Sequence, residues 1–109
     1  MSWAIKREEK YALFTPGNLS EEELLHAFGL LDPTDHKIVD CSDICFTEGV
    51  KQVVSEIYEA HLEQQRSFIV VVESKEVMEA LEELFIVVPT ISEAIDYFYM
   101  EELERNIFE

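Results

Sequence analysis

Two runs of nearly unbroken apolar residues, "HKIVDCS" (36–42) and "SFIVVVE" (67–73), constrain this chain most. A strand with one wet face alternates apolar and polar residues. A strand apolar at consecutive positions is covered on both faces, the pattern of interior strands in a parallel sheet. Between the two runs, "TEGVKQVVSEIYEAHLEQQ" places Val50, Val53, Val54, Ile57, His61 and Leu62 on one stripe, with Lys51, Glu56, Glu59 and Glu63 away from it. That spacing is an amphipathic helix. Strand, helix and strand together form a crossover unit, and such units are right-handed in nearly every case.

The same logic extends in both directions. After the second run, Ser74 is positioned as an N-cap, "KEVMEALEELF" points Val77, Ala80, Leu81 and Leu84 inward, and the short run "IVVP" stops at Pro89. Thr90 and Glu93 then have capping-box spacing, and "ISEAIDYFYMEELERNI" shows Ile91, Ala94, Ile95, Phe98 and Leu103 at helical intervals. Towards the N-terminus, "LSEEELLHAFGLL" opens with Ser20 and Glu23, again a capping box, and Leu24, Leu25, Phe28 and Leu31 make its apolar face before "DPTD" closes it. The opening "SWAIKREEKYALFTP" alternates Trp3 with Ile5 and Tyr11 with Leu13 around a charged "KREEK", a hairpin pattern. The predicted order is β-β-α-β-α-β-α-β-α, without linker, repeat or low-complexity tract.

With 109 residues, 48% of them hydrophobic, the chain is sized for a single domain over residues 1–109 and is too apolar for a disordered acidic tail. Its net charge of -16, from 24 acidic and 8 basic residues, opposes phosphate backbones and anionic membrane surfaces. Nucleic acid and membrane are therefore not expected partners. No window approaches the roughly 18 apolar residues of a membrane span, and "MSWAIKREEK" lacks the apolar core of a signal peptide, so a cytoplasmic location is expected. The two cysteines, Cys41 and Cys45, would stand roughly 13 Å apart in extended chain, beyond disulfide reach, and are read as reduced thiols. They form no C-x-x-C pair, and His26, His36 and His61 are scattered, so no metal spacing is present. Three glycines, Gly17, Gly29 and Gly49, make no phosphate loop, and no cofactor is expected.

For chemistry, the carboxylates of "EEE" and "MEELE" read as solvated helix faces. Asp40 interrupts an apolar strand, and satisfying a neighbouring amide at the strand end is the plainer role than that of a general base. Cys41 reads as a small buried hydrophobe and Cys45 is left open; only Lys51 and the following helix dipole stand nearby to activate a thiol. His61 reads as a core-edge residue, His26 and His36 as surface. The C-terminal "DYFYMEELERNIF" carries more aromatic and apolar residues than one inward stripe needs, notably Tyr97, Tyr99, Met100 and Phe108, a possible self-association surface.

The stretch "IVDCSDICF" (38–46) resembles the strand and loop of the STAS domain family, which includes the bacterial anti-sigma factor antagonists: Ile38 and Val39 stand for the apolar pair, followed by Asp40, Ser42, Ile44 and Phe46. "LFIVVPTISEAIDYF" resembles the family's closing strand, cap and helix. The resemblance implies a single α/β domain, a mixed but mostly parallel sheet of about five strands begun by a hairpin and flanked by about four helices. It also implies a non-enzymatic module that binds an anti-sigma-like kinase or another switch protein through the strand–helix loop. The residues carried over are Asp43, Ile44, Cys45, Phe46, Thr47, Glu48 and Lys51. Where the family has "DSSG" with its phosphorylated serine, this chain has "TEG", Thr47 to Gly49, so Thr47 and Ser42 are the remaining candidates for phosphorylation. The plainer reading makes Thr47 an N-cap, Glu48 a complement to the helix dipole and Gly49 a close fit against the sheet. Phe46 is either an outward anchor or a residue that holds the helix to the sheet. The alternatives are a thiol redox sensor or small enzyme using Cys41 and Cys45, or a dimerisation subunit acting through its last helix.

Overall fold

The computed structural model describes residues 4–17 and 19–108, with the side chain of residue 108 excepted. The hairpin strands are β1 (Ala4–Arg7) and β2 (Ala12–Thr15); the chain continues through α1 (Glu21–Gly29), β3 (Lys37–Asp40), α2 (Glu48–Glu63), β4 (Phe68–Val71), α3 (Lys75–Leu81), β5 (Val87–Val88) and α4 (Ile91–Phe108). The sheet order is β1-β2-β3-β4-β5, with β1 and β2 antiparallel and every later pair parallel. The expected α/β architecture, a five-stranded mixed sheet with four helices, is what the chain forms. Trp3, the first residue of the expected alternation, lies outside the described residues.

Chain order equals sheet order, so each crossover from β2 to β5 steps in one direction. Right-handed crossovers that never reverse put their helices on a single face. Accordingly α1, α2 and α3 bury Leu24, Phe28, Val50, Val54 and Leu81 against Phe14, Val39, Phe68 and Val70 of the sheet. α4 follows the last strand, is not a crossover, and closes the other face with Ala94 and Phe98 on Ile38, Ile69 and Val71. β3 and β4 are thereby covered twice, and Ile38, Val39, Phe68, Ile69 and Val70 are all fully buried.

Local chemistry sets the helix ends. Ser20 Oγ accepts from the Glu23 amide at 3.2 Å and Glu23 Oε1 accepts from the Ser20 amide at 3.0 Å, the complete capping box. Thr47 Oγ1 accepts from Val50 N at 3.2 Å, Ser74 Oγ from Val77 N at 3.4 Å, and Thr90 Oγ1 from Glu93 N at 3.1 Å. α2 ends with Gln65 at φ 58°, a left-handed turn in which Arg66 N returns to His61 O at 2.8 Å.

Four inward assignments are corrected. Leu62 is exposed because His61 takes the inward position and the next residue rotates about 100° away. α3 ends at Leu81, so Leu84 falls out of phase and is exposed, and Phe85 fills the core in its place. Ala80 is exposed on the free side of α3. Leu103 faces outward on α4, at 61% exposure.

Among the described residues Lys37, His61 and Ser67 are polar and buried, and the first two lie within the layers of the fold. Lys37 is buried and its Nζ donates to the carbonyls of Asp32 at 2.6 Å and Asp35 at 3.2 Å, tying down the turn after α1. Burial lowers the pKa of its ammonium. His61 is fully buried, not at the core's edge; its Nδ1 lies 2.8 Å from Ile57 O and its Nε2 has no partner. The Nδ1–H therefore donates to the carbonyl, and a second proton on Nε2 would have no acceptor. Burial accordingly lowers the pKa of the ring. Among the described residues no helix is long and apolar enough to cross a membrane.

The lowered pKa of His61 sets a pH dependence. The unfolded chain binds this proton more readily, so the stability that neutral His61 confers is intact above about pH 6.5 and declines as pH falls below it. Urea unfolding of the wild type and His61→Leu at pH 7.5 and 5.0 should show the wild type losing ground to the variant at the lower pH. Equal pH dependence of the two would refute it.

Candidate functional site

β3 delivers the chain to the carboxyl edge of the sheet, where Asp40 is its last residue. Asp40 Oδ1 accepts from Ser42 N at 3.1 Å and from Ser42 Oγ at 2.8 Å, so the carboxylate is engaged in fixing the first turn of the loop. The loop then climbs through Asp43, Ile44, Cys45 and Phe46 to Thr47, the N-cap of α2. Asp43, Cys45 and Glu48 are exposed, whereas Ser42, Ile44, Phe46, Thr47 and Lys51 are half-buried.

Of the two orientations open for Phe46, the inward one holds: it packs on the cluster beneath α2 and α3, its ring 6.4 Å from that of Phe85. Ile44 joins the same cluster. Both keep an outer side, however, and with Val77 and Ala80 of α3 and the stem of Lys51 they line an open cleft of about 370 Å³. Apolar walls therefore meet beside Cys45, Lys51 and Glu76, so Ile44, Cys45, Phe46 and Lys51 of the residues singled out by sequence line the cleft, while Asp43, Thr47 and Glu48 do not. The sequence pointed to the loop; what it did not show is that α3 supplies the opposite wall.

The N-terminus of α2 is more acidic than expected. Glu48 pairs with Lys51 at 2.9 Å, one turn on. A Cβ at Gly49 would stand 3.3 Å from Glu21 Oε2 of α1, so the close neighbour of Gly49 is that carboxylate and not the sheet. Two carboxylates thus complement the exposed amides of this helix. The signal for Glu21 was its place in the first turn of α1, but only the packing of α1 beside α2 brings it here.

The thiols divide sharply. Cys41 is buried at 1% exposure, and burial together with Asp40 pushes its pKa well up, which suppresses the thiolate. Cys45 is exposed on the loop.

A second polar cluster lies at the opposite, amino edge. His36, expected at the surface, is half-buried: its Nδ1 accepts from Ser67 N at 2.9 Å, and its Nε2 lies 3.3 Å from Glu102 Oε2. Ser67 Oγ donates to Glu101 Oε1 at 2.6 Å and accepts from Arg105 Nη2 at 3.1 Å. This is not the geometry of an activated nucleophile, because the imidazole meets the serine amide while the hydroxyl gives its proton to a carboxylate that Arg105 also holds, at 3.9 Å. Its effect is to clamp the second half of α4 onto the starts of β3 and β4. Among the described residues, no group of three or more His, Cys, Asp or Glu could hold a metal ion.

No model of a known protein family matches the chain, and neither does any curated protein. The fold and loop define an α/β domain with a mainly apolar cleft between the β3–α2 loop and α3.

Two measurements check this geometry. In native protein, one thiol, Cys45, should react rapidly with a chromogenic disulfide and the other only on unfolding; two fast thiols would contradict the burial of Cys41. Thr47→Ala should cost about 1 kcal/mol through loss of the N-cap, and Thr47→Asp should recover much of it, because aspartate caps as well. A neutral Thr47→Ala would show that the cap is dispensable.

Proposed function

We propose that this chain is a non-enzymatic, regulatory protein-interaction module whose recognition surface is the loop from Ser42 to Lys51 together with the facing side of α3. The observation that carries the reading is the cleft of about 370 Å³, where half-buried Ile44 and Phe46 face Val77 and Ala80 beside Cys45, Lys51 and Glu76, on a loop that also exposes Asp43 and Glu48. A small apolar centre with polar surroundings is how protein partners are recognised, and the exposed carboxylates of Asp43, Glu48 and Glu76 on the loop and α3 favour a partner with a basic rim. The resemblance of "IVDCSDICF" to the STAS family gives the partner class: an anti-sigma-like kinase or another switch protein of the cytoplasm.

The same geometry bears on switching. Thr47 Oγ1 is occupied as the N-cap acceptor, Ser42 Oγ is held by Asp40, and Glu21 and Glu48 already supply negative charge to α2. A phosphate on Thr47 would be welcomed by the helix dipole and opposed by those two carboxylates. The loop therefore reads as a permanently acidic surface in which Glu48 stands in for a modified residue. A thiol sensor built on both cysteines is disfavoured by the burial of Cys41.

The test is affinity capture from extract of the native cell, using wild type and the double variant Asp43→Lys, Glu48→Lys as baits. A protein held by the wild type, released by raised salt and lost from the double variant is the expected result, with a small drop in the thermal midpoint because Glu48→Lys gives up a surface ion pair and a helix-dipole contribution. Identical retention by both baits would remove the loop from consideration.

A further inference from the structure

At the amino edge of the sheet, beside the clamp on α4, a cavity of about 390 Å³ is lined by Lys10, Arg66 and Arg105 together with two carboxylates, Asp35 and Glu102. The whole chain has 8 basic residues against 24 acidic ones, so a cavity in which cations outnumber carboxylates runs against its composition. His36 stands in the same wall. Its pKa is lowered first by burial; Glu102 opposes the shift, and Arg105, Arg66 and Lys37 add to it, so these cations all act on one place.

Both carboxylates of the lining are already answered. Asp35 Oδ2 accepts from Arg7 Nη1 at 3.2 Å, and Glu102 Oε2 accepts from Arg105 Nη1 at 3.0 Å and lies 3.3 Å from His36 Nε2. Two positive charges are left over. Arg66 is half-buried and gives its donors to backbone, Nε to Thr34 O at 2.8 Å and Nη1 to Gln65 O at 3.5 Å. Those carbonyls hold the guanidinium in place, but they are neutral and leave its charge uncancelled. Lys10, between β1 and β2, has no hydrogen bond or ion pair among the described residues. With 24 carboxylates in the chain, two unmatched cations facing one cavity point to an anion from outside.

We propose that this cavity binds a small phosphate monoester with a hydroxylated body, of the sugar phosphate class. A phosphate monoester carries about -1.5 to -2 charges at pH 7, which matches Lys10 and Arg66, and its oxygens suit the paired donors of a guanidinium. Side chains supply the donors, so no glycine loop is required. The remaining lining assigns the body: Thr34, Gln65 and Asn106 offer a hydroxyl and two amides, and every lining side chain is polar, which favours hydroxyl groups over an aromatic base. The volume is within the about 300–1,000 Å³ of small-molecule sites. The cavity lies at the opposite edge of the sheet from the Ser42–Lys51 loop and does not depend on that loop's role.

An NMR titration of the full chain with ribose 5-phosphate, ribose and succinate, at neutral pH and low salt, tests this. Ribose 5-phosphate should bind with a Kd of about 1 mM or tighter, ribose not at all, and succinate, whose charges sit on separate carboxylates, at least about tenfold more weakly. Lys10→Gln and Arg66→Gln should each weaken ribose 5-phosphate binding about tenfold, about 1.4 kcal/mol, whereas Lys75→Gln, which removes the same charge from the exposed start of α3, should leave it unchanged. Arg66→Gln also gives up the bond to Thr34 O, so the exposed Lys10→Gln is the variant whose circular dichroism should stay that of the wild type. Ribose or succinate binding as well as the phosphate, or equal losses in Lys10→Gln and Lys75→Gln, would overturn the proposal. So would the absence of ribose 5-phosphate binding at millimolar concentration.

Discussion

The structure depends on the coverage of β3 and β4 from both sides. Their residues point alternately to the three crossover helices and to α4, so neither strand offers water a face, and both runs are apolar without alternation. At about 25 cal/mol per Å² of apolar surface removed from water, such doubly covered strands are where a sheet of this size concentrates its hydrophobic stabilisation. The outer strands have looser demands. β1 is exposed along its length and carries Lys6 and Arg7, charges that discourage pairing with another chain at this edge. β5 is reduced to two residues.

The unidirectional winding has a second effect. In doubly wound sheets the ligand crevice opens where the strand order reverses, and this sheet has no reversal. Its carboxyl edge is instead roofed by loop residues that pack down on the core, Ile44 and Phe46 among them, leaving a shallow cleft against α3. Around the sheet's two edges the reactive groups have structural partners: the Cys41 thiol is sealed in, Asp40 serves the Ser42 turn, and Ser67 belongs to the clamp between β4 and α4.

Much of this was legible from residue order. The two continuous apolar runs fixed the parallel centre of the sheet, and Ser20, Thr47, Ser74 and Thr90 marked the helix starts because a hydroxyl facing free amides is a local, short-range arrangement. Illegible features were those made by distant segments. Glu21 reaches the N-terminus of α2 only because two helices lie side by side. His36 is drawn inward by the amide of Ser67, 31 residues away. Periodicity misled at Leu84, where α3 stopped a turn early, and at Leu103, where a helix apolar on two sides satisfies any inward template. The loop around Phe46 could be located from sequence, but whether that ring faced in or out was decided by its packing beside Phe85, 39 residues away.

Because every strand from β2 onward is laid beside the one made just before it, the sheet grows outward as the chain is synthesised, and no early strand waits for a late one to pair. Sequence separations between parallel neighbours stay near the length of one crossover, which keeps loop-closure entropy low for a parallel architecture. The exception is α4: until it follows β5 out, Ile38, Ile69 and Val71 lack the cover it provides. The nascent domain therefore carries one greasy sheet surface that is sealed only once α4 has been made, when the Ser67–Glu101–Arg105 clamp locks that helix in place.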